Sequence, residues 1–182
     1  DGNSSFCLSF RRMNTALIRL RSQVVRAVRA FFDRQDFLEV QTPRLVGLPG
    51  QEPYLEPFWT EVVEASGAKH PAALITSPEY AMKRLLSAGL DKIYDLGPCF
   101  RNGEPWDGTH DPEFLMIEWY RRDAGLAELV TDTEGLIRSV VAEVGVDGRA
   151  DWAPALAQPF RVLRMDEAMR RYAGIELAPL LD

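Results

Sequence analysis

Between Arg101 and Tyr120 the chain gathers side chains that could grip a ligand: Arg101, Glu104, His110, Glu113, Phe114, Glu118 and Tyr120. A guanidinium is planar, permanently charged and bidentate, which suits a carboxylate or a phosphate. Successive side chains of a strand point to opposite faces, so Phe114, Met116, Glu118 and Tyr120 share one face while Ile117 and Trp119 take the other. A face carrying Phe, Glu and Tyr is a poor hydrophobic core. It is a better floor for a ligand that is flat at one end and cationic at the other.

These residues need elements to hold them. Tyr94 to Phe100 is a second apolar run ending at Arg101, and Gly103, Pro105 and Gly108 supply turn chemistry before residue 110. The two runs are expected to form an antiparallel hairpin with its polar groups on one side. Upstream, Asn14 to Arg34 reads as a helix capped by Asn14 or Thr15, with Leu17, Leu20, Val24, Val28 and Phe31 at three- and four-residue steps. Arg19, Arg26 and Arg29 fall largely off that stripe; they are a solvated face or an RNA contact. Phe37 to Pro43 reads as a short strand. Residues 47–71 read as a meander with extended pieces at Tyr54–Phe58 and Trp59–Val63, and Leu74 to Thr76 as a brief strand. Ser77 caps a helix that has Pro78 in its first turn, runs to about Ala88 and ends at Gly89. Downstream, Leu126 to Val144 is an amphipathic helix, Phe160 to Val162 a strand, and Met165 to Tyr172 a helix with Asp166 as its cap.

The order of the motifs is specific. Thr76-Ser77-Pro78-Glu79-Tyr80-Ala81-Met82-Lys83-Arg84, then Phe100-Arg101-Asn102, then His110-Asp111-Pro112-Glu113-Phe114, then Glu118-Trp119-Tyr120-Arg121 resembles the class II aminoacyl-tRNA synthetases, and among them the lysyl branch. The Ser-Pro-Glu-Tyr-x-Met-Lys-Arg and Glu-Trp-Tyr-Arg forms are most similar to the lysyl-tRNA synthetase paralogues that lysylate elongation factor P. The similarity runs from about Asn14 to Leu177. It implies an α+β fold: a class II synthetase-type antiparallel sheet flanked by helices. It implies an N-terminal extension at 1–13, and over 14–182 the N-terminal part of a catalytic domain, with motif 1 at about 14–43 and motif 2 at about 94–121. The ATP-dependent activation of lysine (or β-lysine) follows, with transfer to a lysine of elongation factor P. Lysine–tRNA ligation is the alternative, and a non-catalytic binding or regulatory remnant is the alternative of another class.

The same resemblance implies residue roles. Arg101 is the catalytic residue, meeting both the substrate carboxylate and the α-phosphate. Arg101, Asn102, Glu104, His110 and Phe114 bind ATP, with Phe114 stacking on adenine. Ser77, Glu79, Glu118 and Tyr120 bind lysine. Plainer readings stand beside these: Phe114 and Tyr120 as core residues of a strand, Arg101 in a salt bridge to Glu104 or Glu113, and Glu79 as an acid favoured by the helix dipole. The motif 1 helix implies a homodimer; its plainer reading is a surface helix with a core-facing stripe.

The chain also departs from the family pattern. Gly103 stands where a glutamate is usual, with Glu104 one place later. The loop is one residue longer, Thr109 replaces a basic residue, and Asp111 replaces an asparagine. With Glu104 and Asp107 and no Lys or Arg, this loop neutralises a triphosphate poorly, so Mg²⁺ gains importance beside ATP. The Gly-rich motif 3 is expected outside these 182 residues, and 13 residues before motif 1 are too few for an anticodon-binding barrel.

Composition sets the bounds. With 46% hydrophobic and 26% charged residues the chain is globular. A net charge of −6 indicates no general attraction to nucleic acid, leaving room for a local basic patch. Cys7 and Cys99 are far apart and without metal spacing, which suits a reducing cytoplasm, with Cys99 as a small buried hydrophobe. No apolar run approaches membrane-spanning length, and residues 1–10 do not read as a signal peptide.

Overall fold

A computed structural model describes residues 14–105, 107, 109–145 and 153–177. The extension at 1–13 and Cys7 lie outside the described residues. Asn14 caps helix α1 (Thr15–Arg34), its side-chain oxygen accepting from the backbone of Ala16 at 3.1 Å and Leu17 at 3.3 Å. The helix ends where Asp36 takes a left-handed conformation (φ 58°), one that Asp tolerates better than most residues. The turn sends the Phe37 N–H back to the Phe32 carbonyl at 3.0 Å and seats the Phe37 ring 5.1 Å from that of Phe32.

Two small sheets follow. Strand β1 (Leu38–Glu39) pairs with β5 (Lys92–Phe100), which pairs in turn with β6 (Glu113–Arg121). The β5–β6 hairpin is antiparallel over nine pairs, whereas β1 runs parallel to β5, which the sequence pattern did not indicate. The second sheet has β2 (Leu45–Val46), β4 (Lys69–Leu74) and β3 (Trp59–Val63) in that order, all antiparallel. The chain is thus α+β, its mostly antiparallel sheets flanked by helices.

One face of the hairpin carries the main core. Phe32 stacks on Tyr94 at 4.7 Å and lies 5.5 Å from Trp119, among Val28, Phe31, Phe37 and Leu136. Helix α3 (Leu126–Val144) crosses α1 at Gly135, where a β-carbon would stand 3.1 Å from the Phe31 ring, so the absence of a side chain sets how closely the helices approach. Burying this aromatic cluster stabilises the fold by removing large apolar rings from water. The α1 stripe divides along its length. Val28 and Phe31 are buried, while Leu17 and Ile18 are 62% and 52% exposed, leaving an apolar surface on the first half of the helix.

Several local expectations differ from what forms. Tyr54–Phe58 is not a strand; Glu56 makes a single bridge to Asn102 instead. The strand expected at Leu74–Thr76 lies earlier, at Lys69–Leu74, because the turn at Gly67 (φ 87°) returns the chain along β3. Helix α2 (Glu79–Ser87) starts one residue beyond Pro78, with the Ser77 hydroxyl accepting from the Glu79 N–H at 3.1 Å, and closes at Gly89 (φ 104°) as expected. Phe160–Val162 is not a strand, since the Phe160 N–H turns to the Glu134 carboxylate at 3.3 Å and its ring lies under Arg138. Helix α4 (Met165–Ala168) widens into a π-type turn at Met169–Ala173. Its cap position belongs to Arg164, whose backbone is extended (φ −69°, ψ 151°), while Asp166 lies inside the first turn and pairs with the Arg164 guanidinium at 3.0 Å. Among the described residues no helix is long and apolar enough to cross a membrane.

Candidate active site

The free face of the hairpin is built from four cross-strand rows: Ile93–Tyr120, Asp95–Glu118, Gly97–Met116 and Cys99–Phe114. Helix α2 covers the first row through Met82, Leu85 and Leu86, packed with Ile93, Val40 and Tyr120. The rows beyond it carry the chemistry. Glu118 and Phe114 are four residues apart, so their ends of the face lie roughly 13 Å apart at about 3.3 Å per residue.

At the acidic end, the Ser77 hydroxyl donates to one Glu118 oxygen at 2.5 Å and the Tyr120 hydroxyl reaches the other at 3.5 Å. Ser77 stands there because its oxygen also begins α2. Burial pushes the Glu118 carboxyl above the usual carboxylate range, Ser77 pulls it back, and the charges of Glu79 and Asp95 push it up again. The Tyr120 phenol is raised to about 12, chiefly by burial and then by the Glu118 charge. Glu79 sits beside this group with its own carboxylate paired to Lys83, one turn along α2. A half-buried carboxylate held by two hydroxyls, with more negative charge behind it, favours an incoming cation.

At the other end, the Arg101 guanidinium lies 5.2 Å from the centre of the Phe114 ring. Its Nε is buried with no hydrogen-bond partner among the described residues, so the salt-bridge alternative for Arg101 does not account for that atom. A buried donor without a partner costs about 1–3 kcal/mol, which a bound anion would recover. Arg101, Glu104, Thr109, His110, Asp111 and Phe114 line a cleft of about 230 Å³. A smaller one of about 110 Å³ joins it at Phe58, Asn102 and Pro112. His110 is held through Nδ1, 3.1 Å from both oxygens of Asp107. Asp107 lies well below the usual carboxylate range, first because the Thr109 hydroxyl donates to it at 2.7 Å. Asn102 spends its side-chain oxygen on the Gly103 N–H at 3.0 Å, inside the turn. Gly103 is left-handed (φ 72°), a conformation in which a glutamate would be strained.

The expected site residues therefore fall into two groups on one face: Ser77, Glu118 and Tyr120 with Glu79 alongside, and Arg101, Glu104, His110 and Phe114 with Asn102 in the turn below. Among the described residues no cluster of three His, Cys, Asp or Glu side chains is placed to hold a metal ion. Cys99 is fully buried between the groups, and burial raises its thiol to about 11.

Sequence reasoning passed over Asp95, treating residues 94–100 as an apolar run. Asp95 is fully buried, accepts from the Thr42 N–H at 3.0 Å and hydroxyl at 2.7 Å, and is paired with Arg44. The signal was present, since an acid inside an apolar strand must be paired if it is buried.

The family described as tRNA synthetases class II (D, K and N) matches residues 4–179. The chain is 34% identical to a lysine–tRNA ligase of Pediococcus pentosaceus over 164 residues, 88% of this chain and 32% of that protein. It is 37% identical to an elongation factor P–(R)-beta-lysine ligase of Vibrio cholerae over 155 residues, 84% of this chain and 47% of that one. A lysine–tRNA ligase of Mesomycoplasma hyopneumoniae is 40% identical over 129 residues, 71% of this chain and 25% of that protein. The chain thus spans between a quarter and about half of the length of these relatives.

Proposed function

Because the chain belongs to the class II tRNA synthetases of the D, K and N group, we propose that it is the N-terminal part, over residues 14–182, of a catalytic domain that activates lysine or β-lysine with ATP. The observation that carries this reading is the free hairpin face, acidic at Glu118 and cationic at Arg101, with the Arg101 Nε buried and without a hydrogen-bond partner among the described residues. The substrate ammonium is received by Glu118, with Ser77 and Tyr120 fixing that carboxylate, and Glu79 takes the second amino group by releasing Lys83. A substrate carboxylate oxygen attacks the α-phosphorus of ATP, forming an O–P bond as the bond to pyrophosphate breaks. Arg101 orients both reactants and offsets the charge that develops between them. Phe114 offers its ring to adenine, and His110 and Glu104 border the outer phosphates.

Mg²⁺ enters with the nucleotide in this reading. Residues 102–111 carry Glu104, Asp107 and Asp111 and no Lys or Arg, so phosphate charge is left for a cation to offset. A homodimer is formed through α1, supported by the exposed Leu17, Ile18 and Leu20 on its first half.

The acceptor in this reading is a lysine of elongation factor P, and the work is cytoplasmic. The acyl group passes to the ε-amine as AMP leaves and the amine gives up its proton. The Ser77–Arg84 and Glu118–Arg121 sequence forms support this acceptor, and so does the similarity to the Vibrio cholerae ligase. Labelled lysine and β-lysine, incubated with ATP, the protein with its natural flanking sequence, and either elongation factor P or lysine tRNA, test it. Label on elongation factor P is expected. Label on tRNA alone would transfer the reading to lysine–tRNA ligation, and label on neither would leave a binding remnant.

A further inference from the structure

Arg44 brings to the free face a guanidinium that the reaction above does not use. It follows Pro43 and leads into β2, and its charge reaches the middle of the β5–β6 hairpin. It pairs with the fully buried Asp95 and donates to the Thr42 hydroxyl at 3.3 Å. Its terminal nitrogen occupies the space over Gly97, where a β-carbon would overlap it. Arg44, Asp95, Arg101 and Glu118 all act electrostatically on the Cys99 thiol between them.

Register makes this placement consequential. Asp95 stands directly opposite Glu118, and Gly97 opposite Met116, so Gly97 is the diagonal neighbour of Glu118. Diagonal neighbours in an antiparallel pair lie about 7–8 Å apart, within reach of a long side chain. An arginine released over Gly97 therefore has Glu118 as its nearest alternative carboxylate on the strand pair. Once there it would occupy the carboxylate that the substrate cation needs.

We propose that Arg44 is a positioning residue whose restraint sets lysine affinity: Asp95 and Thr42 clamp its guanidinium over Gly97, which keeps the Glu118 carboxylate open for a cationic substrate. This rests on the reading that Glu118 receives the substrate ammonium, but the clamp itself can be examined without substrate. Gly97 is part of the device, because only a residue without a side chain leaves room for the guanidinium beside Asp95.

The test is Gly97→Ala, which displaces Arg44 without deleting any charge, compared with Gly97→Ala/Arg44→Met and Arg44→Met. The first readout is the titration of the Glu118 carboxyl by carbon NMR, without substrate. Glu118 faces Glu79 and, paired to it, Lys83 from α2, Asp95 and the Cys99 thiol from β5, and Tyr120 on its own strand, together with the Ser77 hydroxyl, so a second cation arriving from Arg44 adds to a surrounding in which acids outnumber Lys83. Its titration should move to lower pH in Gly97→Ala and return in the double variant. The second readout is KM. In Gly97→Ala the KM for lysine should rise about tenfold or more, as for losing a hydrogen bond to a charged group, while kcat and the KM for ATP hold. Removing Arg44 from that background should restore it.

A merely structural fault would raise both KM values, lower kcat and resist rescue by Arg44→Met. An unmoved Glu118 titration in a folded Gly97→Ala protein overturns the proposal, and so does a double variant that fails to restore it. If Glu118 titrates as described but the parent protein shows no lysine-dependent reaction, the clamp stands and the lysine-activating reading falls. Asp95→Asn releases the same cation and should match Gly97→Ala where it folds. Because it leaves the partly buried Arg44 without its carboxylate it is the less stable variant, and Gly97→Ala carries the decision.

Discussion

Replacing Arg101 by alanine should remove lysine-dependent activation, lowering it by about 10²–10³-fold, the usual loss when one aimed donor is taken from a developing anion. The same change should leave thermal stability close to that of the parent. The Arg101 Nε is buried without a partner among the described residues, so deleting it relieves about 1–3 kcal/mol of unsatisfied desolvation while losing the contact with Phe114. Pre-steady-state chemistry and a melting curve on one sample separate the two effects. Arg101→Lys should recover little, because an ammonium is a point charge and cannot bridge a carboxylate and a phosphate with two parallel bonds. Wild-type activity in Arg101→Ala would mean that the site is misassigned.

Glu118→Gln should raise the KM for lysine by about 10- to 100-fold, the loss of a hydrogen bond between charged groups, with the KM for ATP little changed. It should also make the unliganded protein more heat-stable at neutral pH. The sign follows from linkage. Burial, then Glu79 and Asp95, hold the Glu118 carboxyl above its unfolded value despite the Ser77 hydrogen bond. The folded state therefore binds the proton more tightly than the unfolded state, and stability falls as pH rises from the ordinary carboxylate range through the raised folded value. Glutamine carries no charge to desolvate and can still accept from Ser77. The stabilisation by Glu118→Gln should thus be largest above the folded value and vanish as pH drops to the ordinary carboxylate range. A melting temperature lowered equally at every pH would contradict this account of Glu118.

These two residues also mark how far sequence reasoning reaches. Period-two alternation from Phe114 to Tyr120 put Glu118 and Phe114 on one face, and the hairpin register agrees, because a strand's faces are set by parity alone. Asn14 as a cap and the span of α3 were legible for a similar reason, each being a local signal that tertiary packing did not override. The motif order made the family legible as well. What was not legible depended on long-range partners. The parallel pairing of β1 with β5, the bridge from Glu56 to Asn102, and the clamp of Asp95 on Thr42 and Arg44 join segments tens of residues apart, and no local pattern encodes them. Phe160–Val162 failed for the converse reason: a strand-like run forms no strand when its backbone N–H is taken by a side chain such as Glu134.

The face between Glu118 and Arg101 also explains why the unusual loop is compatible with the fold. Gly103 fits the left-handed turn, and Asp107 with Thr109 holds His110 at the cleft without any basic residue in the loop. In the proposed reaction, phosphate neutralisation would then fall to Arg101 and Mg²⁺.

Lysine-dependent exchange of pyrophosphate into ATP tests most directly whether this face activates lysine. The measurement uses the chain joined to its natural flanking sequence, beside the 182 residues alone. Exchange that requires lysine or β-lysine and disappears in Arg101→Ala is the predicted result. Exchange absent with both, or equally strong with an uncharged amino acid, would contradict the account.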